Sequence, residues 1–343
     1  MEKVINLSVV DQSPIRKGGT ASESLLETVE LAKVCEAAGY SRYWVAEHHN
    51  SGSYTGTSPE VLIAEIAART SKIRVGSGGV MLSHYSSLKV AEQFSILESL
   101  HPGRIDLGVG RAPGSDQRTA AALAYPRLQD DGQKFPQQIK DLLGFLSGNL
   151  EDGHPFGSVK AQPGDAPEST PEVWLLGSSD FSARLAALLG LPFAFADFFG
   201  DLGHGPVVAD LYRKEFRQSE YLTEPKLNVA VQALCAPTEE EAEYLGSSRN
   251  LNKAGTVMGL QRGLLPPDEA IAYPISDDAK VFMERFRRGY VDGSPEQVRD
   301  GLLEVSEKYE TDDISIVTNA YAHSTRVQSY ELVASVMGLK SNL

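Results

Sequence analysis

Short β-rich runs recur along this chain with helical patterns between them, and that alternation restricts the fold more than any other feature. The runs lie at 4–10, 42–46, 73–76, 105–109, 173–176, 193–196, 227–235 and 313–318. Turn residues bound them, as expected of strands. A strand–helix–strand order demands parallel pairing through right-handed crossovers. Eight such units predict an α/β fold, a (β/α)8 TIM barrel, with a doubly wound open sheet as the competing arrangement. The first helix shows the local logic. Thr20-x-x-Glu23 predicts a capping box, Leu25, Val29, Ala32 and Cys35 fall on one face, and Gly39 suits a left-handed stop. Ser58-Pro59, Thr238-x-x-Glu241 and Ser294-Pro295-x-Gln297 predict three further helix starts.

Long insertions are expected after strands four and seven, at 111–134 and 247–293, and a proline-bearing stretch at 151–171 carries Pro155, Pro163, Pro167 and Pro171. A long loop within a barrel is usually a cover or a mobile segment, which makes 247–293 the candidate lid. With no internal repeat and no low-complexity tract, residues 1–343 read as a single domain.

Composition narrows the function classes. At 343 residues and 41% hydrophobic content, the chain can bury a large core. Its 32 basic and 46 acidic residues leave a net charge of −14, a field that repels nucleic acid and anionic membrane surfaces. Cys35 and Cys235, the two cysteines, have no CxxC or Cys/His neighbours, so neither a disulfide framework nor a zinc site is expected. The apolar stretch Val4 to Val10 is interrupted by Asn6 and Ser8 and is too short for a signal core or a membrane span. A cytoplasmic protein of reducing surroundings is the expectation.

In parallel α/β folds the chemistry gathers at the carboxyl ends of strands. Here those ends include Asp11-Gln12-Ser13, Glu47-His48-His49, Gly78-Gly79, Gly110-Arg111, Gly177-Ser178-Ser179, Asp197-Phe198-Phe199 and Asn319-Ala320-Tyr321. Adjacent His48 and His49 point in different directions, so one of them enters the mouth, as a base or as a hydrogen-bonded structural residue. No His-Glu-x-x-His spacing exists, and no metal is expected. Gly108-Val109-Gly110-Arg111-Ala112-Pro113-Gly114 misplaces the third glycine of a dinucleotide fingerprint. Gly110 instead allows close backbone approach to a flat ligand, and Arg111 either meets a phosphate or makes a surface ion pair. Gly177-Ser178-Ser179-Asp180-Phe181-Ser182 opens a helix near Ser179, where free amides and hydroxyls form an anion site, unless Ser179 or Ser182 is spent as a cap. A hydrolytic serine is not expected, because Gly-x-Ser-x-Gly is missing. Gly78-Gly79 implies either a close approach or a bulge.

Taken in order, Trp44-Val45-Ala46-Glu47-His48-His49, Gly76-Ser77-Gly78-Gly79-Val80-Met81-Leu82, His101-Pro102-Gly103-Arg104, Gly108-Val109-Gly110-Arg111, Trp174-Leu175-Leu176-Gly177-Ser178-Ser179 and Ser329-Tyr330-Glu331-Leu332 resemble the bacterial luciferase-like flavin monooxygenases. The similarity is greatest to the branch termed luciferase family oxidoreductase group 1. The resemblance implies a homodimeric barrel binding FMN at the carboxyl end, reduced flavin from a separate reductase, and oxygenation of a small organic substrate by O2. It implies a catalytic base at His48 beside Glu47, a non-proline cis peptide at Gly78-Gly79, and a phosphate held by Arg111 with Ser179 and Ser182. Gly110, Gly177 and Ser178 belong to the same implied cofactor site. Light-emitting relatives carry a cysteine where Gly110 stands, so no thiol role transfers. Two readings remain beside this one: an F420-dependent oxidoreductase of the same superfamily, and a flavin-binding protein without turnover.

Overall fold

The computed structural model describes residues 4–111, 114–126, 132–163, 169–199, 203–260 and 262–341; Ala112, Pro113 and Pro167 of the sequence motifs, with parts of 111–134 and 247–293, lie outside them. In chain order the elements are β1 (Asn6–Asp11), α1 (Ala21–Ala38), β2 (Arg42–Val45), α2 (Pro59–Arg69), β3 (Arg74–Met81), α3 (Ser87–Leu100), β4 (Ile105–Gly110), α4 (Gln117–Ala124) and α5 (Phe135–Ser147). They continue with β5 (Glu172–Gly177), α6 (Asp180–Leu189), β6 (Phe193–Ala196), α7 (Gly205–Glu215), β7 (Leu227–Cys235), α8 (Glu239–Val257), α9 (Pro267–Ala272) and α10 (Asp277–Arg287). The chain ends with β8 (Val291–Gly293), α11 (Pro295–Tyr309), β9 (Asp313–Val317) and α12 (His323–Val336).

Eight parallel strands, in the order β6-β5-β4-β3-β2-β1-β9-β7, close into a barrel through the β6–β7 pairing. All eight predicted runs are these strands, and closure excludes the open sheet. β3 runs through the glycine pair to Met81, beyond the predicted end at residue 76. β8 is an addition, pairing in parallel with the end of β7 outside the barrel (Ala233↔Val291). The segment 247–293 is correspondingly structured, containing the end of α8, α9, α10 and β8. Local start signals held unevenly. Thr20 and Ser294 form complete capping boxes, and Thr238 accepts the Glu241 N–H. Ser58 makes no side-chain cap bond, leaving Pro59 at the first turn to set the start of α2.

Period-two alternation along the strands layers the barrel interior. Val10, Trp44, Trp174, Ala194, Ala230 and Val317 form one buried apolar layer, in which Trp44 and Trp174 meet edge to face at 5.3 Å. Two residues further along their strands stand Gln12, Gln232 and Asn319, a polar layer over the apolar floor. A much larger apolar cluster joins the outer strand faces to the helices.

One buried ion pair fastens the first strands to the last helix. Asp11 accepts from Arg326 at 2.5 Å, from the Tyr43 hydroxyl at 2.6 Å and from the Ser13 N–H at 2.9 Å. Arg326 also donates to the Thr318 carbonyl at 3.3 Å. Removing one partner of such a pair strands a charge away from water. Arg326→Met is expected to cost about 3–5 kcal/mol in chemical denaturation; a loss within surface-substitution range, about 0.5 kcal/mol, would show that the pair does not fasten the barrel.

Candidate active site

The glycines at β3 and β4 permit backbone approach, and the approaching groups are the protein's own. A Cβ on Gly78 would lie 3.1 Å from the Trp44 Cβ, and one on Gly79 would lie 2.7 Å from the Gly108 carbonyl oxygen. The Gly78–Gly79 peptide is cis, and the pairing of β3 with β4 shifts register between Gly78 and Val80. Both the bulge-like irregularity and the close approach are therefore present. At Gly110 a Cβ would meet only the flexible end of Met81, at 2.9 Å.

Glu47 and His48 leave β2 toward different tasks. The buried Glu47 carboxylate accepts from the Met81 N–H at 2.9 Å, the Tyr85 hydroxyl at 2.8 Å and His49 Nε2 at 2.7 Å. Burial and this carboxylate together push the Tyr85 hydroxyl pKa up, which keeps it a donor. Glu47 thus ties the exit of β2 to that of β3, and it is absent from the cavity wall. His48 is on that wall. Its backbone N–H donates to Gly56 at 2.8 Å, its ring lies 4.7 Å from that of Tyr54, and its Nδ1 is buried without a hydrogen-bond partner. Burial, outweighing the Glu47 charge, lowers its pKa from 6.5 to about 4, so the imidazole is neutral at ordinary pH.

The cavity beside His48 has a volume of about 360 Å³ and is walled by the polar layer of Gln12, Gln232 and Asn319, by Phe198 and Phe199, and by α8. Asn319 donates to Gln12 at 2.6 Å, while Gln232 Nε2 and Asn319 Oδ1 are buried without partners among the described residues. Such atoms are costly unless something satisfies them. Gln12, Asn319, Phe198 and Phe199 stand at strand ends and were legible as such. Gln232 lies within the β7 run, and Arg249, Asn252 and Lys253 lie on α8, where sequence alone gives no sign of which face looks into the barrel.

A second constellation sits at the exits of β4 and β5. Arg111 is exposed, and its guanidinium carbon lies 4.2 Å from the Phe181 ring centre, in the first turn of α6. Among the described residues it has no carboxylate partner. Ser179 occupies the N-cap position of α6 and makes no side-chain cap bond, so its hydroxyl is not consumed there. Ser182 is buried directly beneath Gly177, where a Cβ would collide with it. The Ser178 carbonyl lies 3.2 Å from His204 Nε2. Arg111 thus lies against the first turn of α6, two residues beyond Ser179, whereas Gly78, Gly79, Arg111 and Ser179 are not in the wall of the cavity beside His48. Among the described residues no group of three His, Cys, Asp or Glu side chains could hold a metal, and no helix is long and apolar enough to cross a membrane.

A family model described as luciferase-like monooxygenase matches residues 5–310. A luciferase-like monooxygenase of Escherichia coli K12 is 37% identical over 98% of both chains. The N-acetyl-S-alkylcysteine monooxygenase of Bacillus subtilis is 36% identical, covering 97% of this chain and 98% of its own. The crystal structure of apo-MsnO8 superposes with a TM-score of 0.89 at 37% identity, over 98% of this chain and 99% of that one. More distant structures share the fold alone, among them a type II Baeyer–Villiger monooxygenase in complex with FMN (TM-score 0.72, 18% identity) and an F420-dependent secondary alcohol dehydrogenase (0.68, 12%).

The depressed pKa of His48 has a consequence for stability. Between about pH 4 and 6.5 the unfolded chain binds a proton at His48 that the folded chain refuses. Stability therefore rises with pH across that window and its His48 contribution is complete above it. Denaturation midpoints of His48→Gln are expected to rise less steeply over this range than those of the parent; parallel pH profiles would show that His48 titrates normally.

Proposed function

This chain belongs to the luciferase-like monooxygenase family, and on that premise we propose that it is an FMN-dependent monooxygenase that oxygenates a small organic substrate with O2, using reduced flavin delivered by a separate reductase. The observation that carries the proposal is the place of the Arg111 guanidinium, which has no carboxylate partner among the described residues, against Phe181 in the first turn of α6. A phosphate dianion satisfies both, through charge-assisted hydrogen bonds and the positive end of the helix dipole. The uncapped Ser179 hydroxyl adds a donor, and Ser182 supports the turn beneath Gly177. Gly78, Gly79, Gly110 and Ser178 complete the strand-exit surface on which the flavin is placed.

Reduced FMN, when bound, supplies the electrons and the oxygen-activating chemistry. The chain's own residues set the conditions. Neutral His48 can accept a proton at the cavity wall, because its lowered pKa leaves the imidazole unprotonated. Glu47 serves as its positioning neighbour, fixing the β2 exit through Met81, Tyr85 and His49. Phe198 and Phe199, tilted against each other at 4.6 Å, give one side of the cavity an apolar wall.

A charge-assisted phosphate contact contributes about 1.5–3 kcal/mol, so Arg111→Ala is expected to weaken FMN binding by about 10- to 100-fold, read by flavin fluorescence titration. Unchanged affinity would refute the phosphate assignment. Titrating F420 alongside separates the superfamily alternative: tighter FMN binding is expected, and a preference for F420 would overturn the cofactor assignment. His48→Ala should lower single-turnover oxidation by about 100-fold or more while FMN affinity is retained; full turnover would remove His48 from the chemistry.

A further inference from the structure

The cavity beside His48 has an unbalanced charge. Among the described residues no Asp or Glu is in its wall, although the chain as a whole carries 46 acidic residues against 32 basic ones. Two cations line it, both from the inner face of α8, one helical turn apart. Arg249 is committed: it makes a two-pronged ion pair with Asp292 and lies 4.4 Å from the Tyr290 ring centre. Lys253 is not. Among the described residues its ammonium has no carboxylate within ion-pair distance and rests only on ring faces, 4.0 Å from the centre of Phe286 and 5.7 Å from that of Phe199. Ring quadrupoles attract a cation without neutralising it. Desolvation alone lowers the Lys253 pKa to about 8, with no anion offsetting it.

The other wall groups fit an anion's neighbourhood. Asn252 is engaged with Ser53, through Oδ1 at 2.9 Å, and so is held in place. Gln232 Nε2 is a buried donor without an acceptor among the described residues. His48 is neutral, so it adds no second charge. One net positive charge with neutral donors around it matches a monoanion. A phosphate dianion would leave an excess negative charge in a site with no second free cation among the described residues.

We propose that Lys253 is the specificity residue of this cavity and that the substrate is a small organic acid whose carboxylate docks on it, presenting its other end toward His48. The fate of the docked acid rests on the flavin-monooxygenase reading, whereas the docking itself is a property of the cavity wall. Asp292 already neutralises Arg249, which makes Lys253 the residue that tells an acid from its amide.

The test titrates three matched probes, hexanoate, hexanamide and hexane-1-sulfonate, into the full-length protein with and without FMN, read by calorimetry. Hexanoate is expected to bind about 10- to 100-fold more tightly than hexanamide. Lys253→Met should abolish that preference, and Lys253→Arg should restore most of it. Melting temperature and FMN affinity of Lys253→Met should match the parent, which excludes misfolding as the cause. Equal binding of acid and amide, no binding of either, or an undiminished preference in Lys253→Met would overturn the proposal; a preference for hexane-1-sulfonate would overturn the carboxylate assignment. Hexanoate binding without FMN binding would refute the flavin reading and leave the acid site standing, and the reverse would refute the acid site alone.

Discussion

Where β3 runs beside β4, two backbones come together with no side chain between them, and the mouth of the barrel is shaped by that contact. A Cβ on Gly76 would lie 2.5 Å from the Asp106 carbonyl oxygen, and one on Gly108 would collide with that of Ser77. Glycine is the only residue that permits this approach. The close contact lets β3 continue to Met81, whose N–H reaches the buried Glu47 carboxylate. The exits of β2, β3 and β4 are thereby joined, and His48 and Arg111 follow directly from two of them. A catalytic constellation held on strands and their first turns is more exact than one carried by free loops.

The mouth then divides by charge. On the β4–β5 side, the exposed Arg111 lies against Phe181 in the first turn of α6, where the proposal seats an anion. On the β7–β9 side, α8 closes a cavity that has polar walls, an apolar floor and one ammonium without a carboxylate partner among the described residues. His48 stands at the edge of that second region. The division suits a reaction between a bound cofactor and a separate substrate, each recognised through its own anionic group, with a neutral base near the meeting point.

The barrel was legible in the sequence because parallel strands buried on both faces give strong apolar runs, and because Thr20, Ser294 and Gly39 mark their helix ends by local chemistry. β8 was missed: three residues paired outside the barrel carry no periodicity to detect. His48 and Arg111 stand immediately after strands, which is what makes them candidates from sequence. Glu47 was grouped with His48 by adjacency, yet its carboxylate turns toward Met81 and Tyr85, a direction that depends on the neighbouring strand. Lys253 was invisible, since a lysine on a polar helix reads as a solvated one until its face is seen against Phe199 and Phe286. Positions set by local backbone geometry were readable, and contacts defined by what packs opposite were not.

The account rests on a flavin mononucleotide seated across this mouth. A crystal structure of the protein soaked with FMN tests it most directly. The account predicts density for the phosphate between Arg111 and the first turn of α6, with the ring system over the Gly78–Gly79 exit and beside His48. An empty mouth, or a phosphate held at a different pair of strand ends, would contradict it.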